Sequence, residues 1–332
     1  MDQLLKVTNL TKRFPISRDA YIGAVNDISF ELGVGETLGL VGESGSGKTT
    51  TGRCILRLIR PTSGHIVFNG VDITSIEEDE LRKLRSKMQL VFQEPLASLN
   101  PRRSVWATLE EPLILQGVLS KTEREARVME TLSLIGLDSR FLRIYPASLT
   151  SSAAQRVGIG RALVTRPSLV VLDEPTSALD ATARSELLDV LKSIQNNFQT
   201  SFLFISHDLT AVRRISHRVA IMYLGRIVEV APTEELFVEQ SHPYSRALLS
   251  AVLPLDPRTP LDPFVVEGEI PSAINPANEC PFHSRCPLRT PDCLDVFPSF
   301  SEIGKSHFAA CRHSSVLRGR TNAQLASLRL LS

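Results

Sequence analysis

The order of apolar and polar positions predicts alternating strands and helices along most of the chain. Short strand-like segments occupy about residues 4–40 and end in the apolar run TLGLVG. The glycine-rich stretch GESGSGKT follows, and then Cys54 and Leu58 share one face of a predicted helix that Pro61 ends. The order strand, loop, helix is therefore expected near the N-terminus.

The segment from about 95 to 165 is predicted to be helical. It follows a hairpin strand, HIVFNG, and an apolar strand, MQLVFQ. Its clearest helix begins at Ser120, because Glu123 completes a capping box and Val128 and Leu132 recur at helical spacing.

Strands and helices alternate again from Pro167. The strands are SLVVLDE, SFLFIS, RVAIMYL and RIVEVA, and a helix with four apolar residues on one face separates the first two. This order predicts an α/β fold with a mainly parallel sheet covered by helices on both faces. Prolines become dense between about 241 and 300, so a loop-rich C-terminal extension is expected there.

Composition limits the possible partners. Of 332 residues, 37 are basic and 36 acidic, so no overall charge attracts nucleic acid or a membrane surface. The start of the chain lacks a leader pattern, and no run of about 18 apolar residues occurs. The chain is therefore expected neither to cross a membrane nor to be exported.

The stretch GESGSGKT matches the phosphate-binding P-loop pattern, and its position between a strand and a helix strengthens the match. Its glycines permit positive backbone angles and close approach, so that successive N–H groups point at phosphates. Lys48 adds a positive charge, and the Thr49 hydroxyl can bind Mg²⁺. The expected nucleotide contacts are Gly42, Ser44, Gly45, Ser46, Gly47, Lys48, Thr49 and Thr50.

Two carboxylates end the apolar strand LVVLDE. Asp173 is expected to hold Mg²⁺ and Glu174 to act as general base on the attacking water, because ligands bind at the C-terminal edge of parallel sheets. These features predict a nucleotide-hydrolysing P-loop protein.

Together these motifs resemble the nucleotide-binding subunits of ABC transporters. Gln93 in VFQEP is similar to the family's Q-loop glutamine, Asp180 in SALD to its D-loop aspartate, and His207 in FISHD to its switch histidine. The resemblance implies a RecA-like P-loop NTPase core with an antiparallel β subdomain and an inserted helical subdomain. It also implies that Gln93 joins Thr49 and Asp173 around Mg²⁺ and that His207 contacts the γ-phosphate of ATP.

An aromatic residue usually stacks on adenine in this family, some 25 to 30 positions before the P-loop. Phe14 is the first choice and Tyr21 the second. Either residue could equally serve packing.

The stretches VFQEPLASLNPR, HPYSRALLSAVLP and CPFHSRCP resemble the dipeptide/oligopeptide importer branch. This branch implies an ATPase at the cytoplasmic face of the membrane, acting with two integral permease subunits and an extracytoplasmic solute-binding protein. We expect a nucleotide-binding domain over residues 1–240, with its helical part at about 95–165, and an extension over 241–332. Relatives also carry nickel, glutathione, opines or sugars, so the cargo stays open.

The family signature LSGGQ is altered here. The corresponding residues are Leu149, Thr150, Ser151, Ser152 and Ala153. Glycine allows close approach to the γ-phosphate of the partner's ATP, so side chains at Ser151 and Ser152 should obstruct that contact. We therefore expect a heterodimer with a second ABC ATPase, in which one site is competent and the other is impaired.

Two alternative functions belong to other classes. One is a soluble ABC ATPase acting on nucleic acid or ribosomes, but the coiled-coil insertions and basic extensions typical of that class are absent from the sequence. The other is a regulatory subunit that binds ATP with little turnover, which the altered signature favours and intact Glu174 and His207 oppose.

Four of the five cysteines, Cys280, Cys286, Cys293 and Cys311, lie in the C-terminal extension with the spacing C-x5-C-x6-C-x17-C. Disulfides are disfavoured in a chain that is not exported, and zinc usually prefers closer cysteine pairs. The ligand set favours a 4Fe-4S cluster, with zinc as the lesser alternative and no metal as a third. Cys54 is expected to pack in the core.

Overall fold

The computed structural model describes residues 2–117, 119–251, 264–322 and 324–325. Twelve strands lie in these ranges, and they form two sheets. They are β1 (Gln3–Pro15), β2 (Tyr21–Gly33), β3 (Thr37–Val41), β4 (Ser63–Phe68), β5 (Val71–Asp72), β6 (Met88–Val91), β7 (Leu169–Asp173), β8 (Ser201–Ile205), β9 (Arg218–Tyr223), β10 (Arg226–Pro232), β11 (Ser301–Gly304) and β12 (His307–Ala309).

The α-helices of the described residues connect these strands. They are α1 (Lys48–Ile55), α2 (Glu78–Leu84), α3 (Pro95–Ser98), α4 (Val105–Gln116), α5 (Lys121–Leu134), α6 (Ser151–Leu163), α7 (Ala181–Phe198), α8 (Leu209–Ile215), α9 (Thr233–Val238), α10 (Pro243–Ser250) and α11 (Ser314–Leu317).

The larger sheet has the order β11-β12-β10-β9-β3-β8-β7-β6. Strands β9, β3, β8, β7 and β6 are parallel, whereas β10, β12 and β11 add antiparallel strands at one side. The smaller sheet is antiparallel, with the order β2-β1-β4-β5. The predicted α/β fold with an antiparallel β subdomain is confirmed.

The central strands are buried on both faces. Along β7, Val170 and Leu172 pack into one apolar cluster with helix α7, while Leu169 and Val171 pack into a second cluster with α1 and the smaller sheet. Such continuous apolar strands are typical of parallel sheets with both faces covered.

The predicted helical region is confirmed. Helices α4, α5 and α6 share a third apolar cluster that includes Leu109, Val128 and Val157. The Ser120 side chain accepts a hydrogen bond from the Glu123 N–H, and the Glu123 carboxylate accepts one from the Ser120 N–H, so the capping box is formed.

The predicted length of α1 was wrong. The helix ends at Ile55, well before Pro61, because Arg57 has a positive φ of 53°. Leu58 is half exposed, whereas Cys54 is fully buried as expected.

The C-terminal extension has little regular structure between 264 and 300, in line with its prolines. It then forms the hairpin β11–β12, and β12 pairs with β10 of the larger sheet. The proline-rich residues 252–263, which belong to the predicted loop-rich part, lie outside the described residues.

Candidate active site

Several predicted site residues lie at one edge of the larger sheet, where four parallel strands end. The P-loop follows β3, Gln93 follows β6, Asp173 ends β7, and His207 follows β8. Parallel strands have their carboxyl ends at the same edge, where open α/β sheets bind ligands. The sheet order therefore brings together residues that are up to 165 positions apart.

The P-loop glycines serve two different needs. Gly45 and Gly47 have positive φ values of 79° and 102°. Gly42 does not have a positive φ, but a Cβ there would lie 2.1 Å from the Met222 carbonyl oxygen. Close packing of the loop against β9 thus requires Gly42, and backbone conformation requires the other two.

Lys48 is buried within the loop. Its Nζ donates hydrogen bonds of 2.8 Å to the carbonyls of Gly42 and Glu43 and one of 3.3 Å to Ser46 Oγ. Burial lowers the pKa of the ammonium, and the charges of Glu174, Asp173 and Glu43 partly oppose this effect. The Lys48 ammonium donates to neutral acceptors, so it can exchange these hydrogen bonds for stronger, charge-assisted ones to a phosphate.

Thr49 and Asp173 are in direct contact, with Thr49 Oγ1 donating to Asp173 Oδ1 at 2.9 Å. Burial raises the pKa of Asp173, although the Thr49 hydrogen bond and the Arg53 charge lower it. A hydroxyl and a carboxylate side by side are oxygen donors that suit Mg²⁺. Gln93, the third expected ligand, instead contacts Glu174.

The Glu174 carboxylate lies between two polar side chains. Its Oε2 accepts a 3.2 Å hydrogen bond from Gln93 Nε2, and its Oε1 lies 3.1 Å from His207 Nδ1. The backbone of Glu174 has a positive φ of 48° and donates its N–H to the Ile205 carbonyl at 2.9 Å. Sparsely populated backbone conformations of this kind are frequent at functional sites.

The residues that correspond to the expected signature lie at the start of α6. Thr150 is the N-cap, and its hydroxyl accepts from the Ala153 N–H at 3.2 Å. Ser151 is exposed, Ser152 is partly exposed, and Ala153 is buried. Ser151 shares a surface depression with Gln93 and Ser177, so the signature, Q-loop and D-loop segments are neighbours. In the D-loop, exposed Asp180 caps α7 by accepting from the Ala183 N–H.

The remaining P-loop residues differ in exposure. Ser44 is exposed and Thr50 is partly exposed, whereas Ser46 is buried and its carbonyl accepts from the Gly225 N–H at 2.9 Å. The β9–β10 turn thus holds the loop at Ser46, whereas Ser44 and Thr50 remain accessible to solvent.

The two aromatic candidates for adenine stacking lie at the end of the β1–β2 hairpin. Phe14 and Tyr21 are both partly exposed, and each ring is covered by a cation, Lys12 at 4.9 Å and Arg13 at 4.6 Å. Nothing in these contacts favours one over the other, so Phe14 stays a prediction.

Four cysteines, Cys280, Cys286, Cys293 and Cys311, line one small pocket together with His242, His283 and His313. Burial raises the pKa of Cys280 and of Cys311, and the neighbouring thiols add to the shift. Among the described residues no group of three or more His, Cys, Asp or Glu side chains is placed to hold a metal ion. The geometry therefore gives no support to the expected 4Fe-4S cluster or to the zinc alternative.

The sequence interpretation missed three residues, of which one belongs to the P-loop and two contact it. Glu43 of the loop contacts Tyr244 and Arg285 of the C-terminal part. Tyr244 and Arg285 both occur in stretches that resemble the importer branch. They lie 201 and 242 residues from Glu43 in the sequence, and no sequence pattern predicts a contact over such separations.

Comparisons with known proteins agree with this arrangement. Residues 25–177 match the ABC transporter family, and residues 228–293 match the C-terminal region of oligopeptide/dipeptide transporters. The oligopeptide transport ATP-binding protein AppF of Bacillus subtilis is 42% identical over 93% of this chain and 97% of its own length. The di/tripeptide transport ATP-binding protein DppF of Pseudomonas aeruginosa is 37% identical over 96% of this chain and 100% of its own.

Solved structures give the same fold. The ATP-binding cassette MJ0796, solved as a dimer in a post-hydrolysis state with ADP and Pi, has a TM-score of 0.64 at 29% identity, covering 69% of this chain and 99% of that one. The cbiO1 protein of Clostridium perfringens has a TM-score of 0.65 at 27% identity, covering 72% and 92%.

The fold and the site define an ATP-hydrolysing cassette of the ABC type. With the relatives and the C-terminal match, the chain belongs to the ABC transporter ATP-binding subunits of the oligopeptide/dipeptide importer family. Within the residues that the structure describes, none of the helices has the length and apolar character needed to cross a bilayer.

Proposed function

We propose that this chain energises uptake of dipeptides or oligopeptides across the cytoplasmic membrane, working at its cytoplasmic face. The observation that supports it most is the meeting of P-loop, Asp173, Glu174 and His207 at one sheet edge. The names of the AppF and DppF relatives, which refer to oligopeptides and di/tripeptides, support the cargo class. Its partners would be two permease subunits and an extracytoplasmic solute-binding protein.

In this proposal each side chain has one task. Lys48 and the loop N–H groups hold the phosphates, and Glu174 accepts a proton from the attacking water while His207 orients it. Mg²⁺, held by Thr49 and Asp173 with Gln93 as a further ligand, would neutralise phosphate charge. Gln93, which contacts Glu174, could report the state of the site to the membrane subunits through the exposed residues Phe92 and Leu96.

The test is substitution of Lys48. Lys48→Ala should abolish ATP binding and peptide uptake, whereas Lys87→Ala, which removes an ammonium outside the loop, should leave both unchanged. Unaltered nucleotide affinity in Lys48→Ala would refute the function, and unaltered uptake with lost affinity would refute only the transport role.

We also propose that the assembly contains a second ABC ATPase with an intact signature. The support is the replacement of both signature glycines by Ser151 and Ser152 at the exposed start of α6. This chain's P-loop would then form the competent site, and its own signature would face an impaired one. Glu174→Gln should remove nearly all ATP turnover from the purified assembly, so that appreciable residual hydrolysis would contradict the asymmetry.

A regulatory subunit that binds ATP without turnover is the second candidate. The altered signature favours it, but Glu174 and His207 lie 3.1 Å apart in an arrangement suited to hydrolysis. ATP turnover that is unaffected by Glu174→Gln, with ATP still bound by this chain, would favour the regulatory role.

We further propose a structural 4Fe-4S cluster bound by Cys280, Cys286, Cys293 and Cys311. Support comes from the position of all four cysteines around one small pocket and from the soft donor character of thiolates. A cluster binds each thiolate through a different iron, so its ligands stand further apart than those of a single ion. Bound there, it would cross-link a segment that has little apolar core of its own.

Anaerobic purification tests the cluster. The full chain should show broad visible absorbance and contain iron and sulfide in matching amounts. Cys293→Ser should lose the absorbance, the iron and the sulfide. Cys54→Ala, which removes the one cysteine outside the pocket, is the matched control. Stoichiometric zinc, or no metal at all, would contradict the assignment.

A further inference from the structure

The acidic residue of the P-loop is held from outside the nucleotide-binding fold. Glu43 Oε2 lies 3.2 Å from Arg285 Nη1, and the Glu43 backbone N–H donates to Tyr244 Oη at 2.9 Å. One residue of the loop is thus fixed at both its side chain and its backbone by the C-terminal part of the chain.

The surroundings make these contacts stronger than surface contacts. Tyr223, Tyr244 and Phe282 are buried and pack with ring centroids 4.5–5.5 Å apart. Arg285 Nη1 also donates to Tyr223 Oη at 3.3 Å, and the Arg285 side chain is only 15% exposed. A partly shielded ion pair loses less of its energy to solvent than an exposed one.

Glu43 also determines where Lys48 rests. The Glu43 carbonyl accepts from Lys48 Nζ at 2.8 Å and from the Ser46 N–H at 3.2 Å. Fixing Glu43 therefore fixes the loop around the phosphate-binding ammonium. Pairing with Arg285 also neutralises a carboxylate that would otherwise repel phosphates.

We infer that Arg285 and Tyr244 are positioning residues of the nucleotide site, which act on the P-loop through Glu43. The inference takes nucleotide binding at this loop from the proposed function. Arg285 ends a single 3₁₀ turn, His283–Arg285, that is closed by hydrogen bonds from His283 N–H to the Cys280 carbonyl and from Cys286 N–H to the His283 carbonyl. Order in the four-cysteine segment is thereby linked to nucleotide affinity.

The experiment measures ADP and ATP dissociation constants of the full chain by calorimetry. Arg285→Ala should raise both constants about fivefold, the effect expected of a partly shielded ion pair. Tyr244→Phe, which keeps the ring, should weaken binding in the same direction. In the nucleotide-free chain, both variants should speed amide hydrogen exchange in the peptide that covers residues 42–50.

Three further variants separate this role from others. Arg226 anchors the same extension through Asn278 at 2.8 Å and the Phe297 ring at 4.4 Å, so Arg226→Ala should leave nucleotide affinity unchanged. In a Glu43→Gln background, Arg285→Ala should have little further effect, since the ion pair is already gone. Arg285→Lys, which keeps the charge, should restore part of the affinity.

Three results would overturn the inference. One is unchanged affinity in Arg285→Ala and Tyr244→Phe. Another is an equal loss from Arg285→Ala in both Glu43 backgrounds, which would mean direct attraction of phosphate by the arginine. The third is an equal loss in Arg226→Ala, which would mean general loosening of the extension. Wild-type protein that binds no nucleotide would instead refute the proposed function.

Discussion

Glu174 Oε1 and His207 Nδ1 lie 3.1 Å apart at the carboxyl ends of neighbouring strands β7 and β8. The Glu174 side chain is 17% exposed and that of His207 is 63% exposed, so the carboxylate is largely shielded and the imidazole is accessible to solvent. A water molecule held near both groups would have a base on one side and a hydrogen-bonding partner on the other.

The first prediction concerns His207. His207→Ala should lower ATP turnover of the assembly by about 100-fold, because loss of an orienting group at a proton transfer commonly costs that much. Nucleotide affinity should change little, since Lys48 and the loop amides remain. Steady-state turnover and calorimetry would measure the two effects. His65→Ala removes an exposed histidine of β4 and is the matched control, and equal losses in both variants would contradict the role.

The second prediction compares two P-loop glycines. A Cβ at Gly47 would lie 2.1 Å from the Ala24 carbonyl oxygen, whereas one at Gly45 would meet nothing within 4 Å. Both have positive φ, so Gly45→Ala should cost about 1 kcal/mol in the free energy of unfolding, and Gly47→Ala should cost more because a clash is added. Urea unfolding would measure both, and equal costs would show that the Ala24 contact is unimportant.

The third prediction concerns pH. Buried His307 lies 2.7 Å from Glu229 and 2.8 Å from Glu235, and Arg318 also pairs with Glu235. Burial lowers the pKa of His307, but the hydrogen bonds to Glu229 and Glu235 outweigh it, so that its pKa lies above the ordinary 6.5. A raised folded-state pKa stabilises the protein fully below 6.5, and this contribution is lost as pH rises through the folded value.

His307→Gln should therefore reduce the free energy of unfolding most at pH values below 6.5. The difference between wild type and variant should shrink at higher pH. Urea titrations at several pH values would measure it, with His65→Gln as an exposed control. A pH-independent difference would show that the histidine acts by packing alone.

The fourth prediction concerns the signature. Ser151 and Ser152 open α6 and are not packed in a core, so replacing both with glycine should be tolerated. If the proposed heterodimer forms, the pair Ser151→Gly and Ser152→Gly should raise residual ATP turnover several-fold in assemblies that carry Glu174→Gln, because the backbone would then approach the partner's nucleotide. No increase would mean that the serines are not what limits that site.

The sequence could predict much of this site because its main motifs follow strands. TLGLVG leads into the P-loop with Lys48, LVVLDE ends in Glu174, and SFLFIS is followed by His207, so a parallel sheet was enough to bring the three together. The helix start at Ser120 could also be predicted, because its capping box involves residues only three positions apart.

Other features depend on distant parts of the chain. The end of α1 at Ile55 could not be predicted, because Arg57 takes its positive φ where its guanidinium contacts the carbonyls of Ile73 and Thr74. The contact of Glu43 with Arg285 likewise joins two loops whose proximity follows from tertiary packing, and neither loop has a periodic pattern.

The pairing of β12 with β10 has a consequence for shortened forms of the protein. A cassette cut near residue 240 would leave β10 as an outer strand with unpaired backbone groups, and the buried Glu229 carboxylate would lose His307. In the part of the chain that the structure describes, the strand at this edge of the larger sheet is instead β11, which is four residues long and contains Glu302 and Gly304. Short, charged edges resist strand addition, so we expect the shortened cassette to associate through its sheet edge more readily than the full chain.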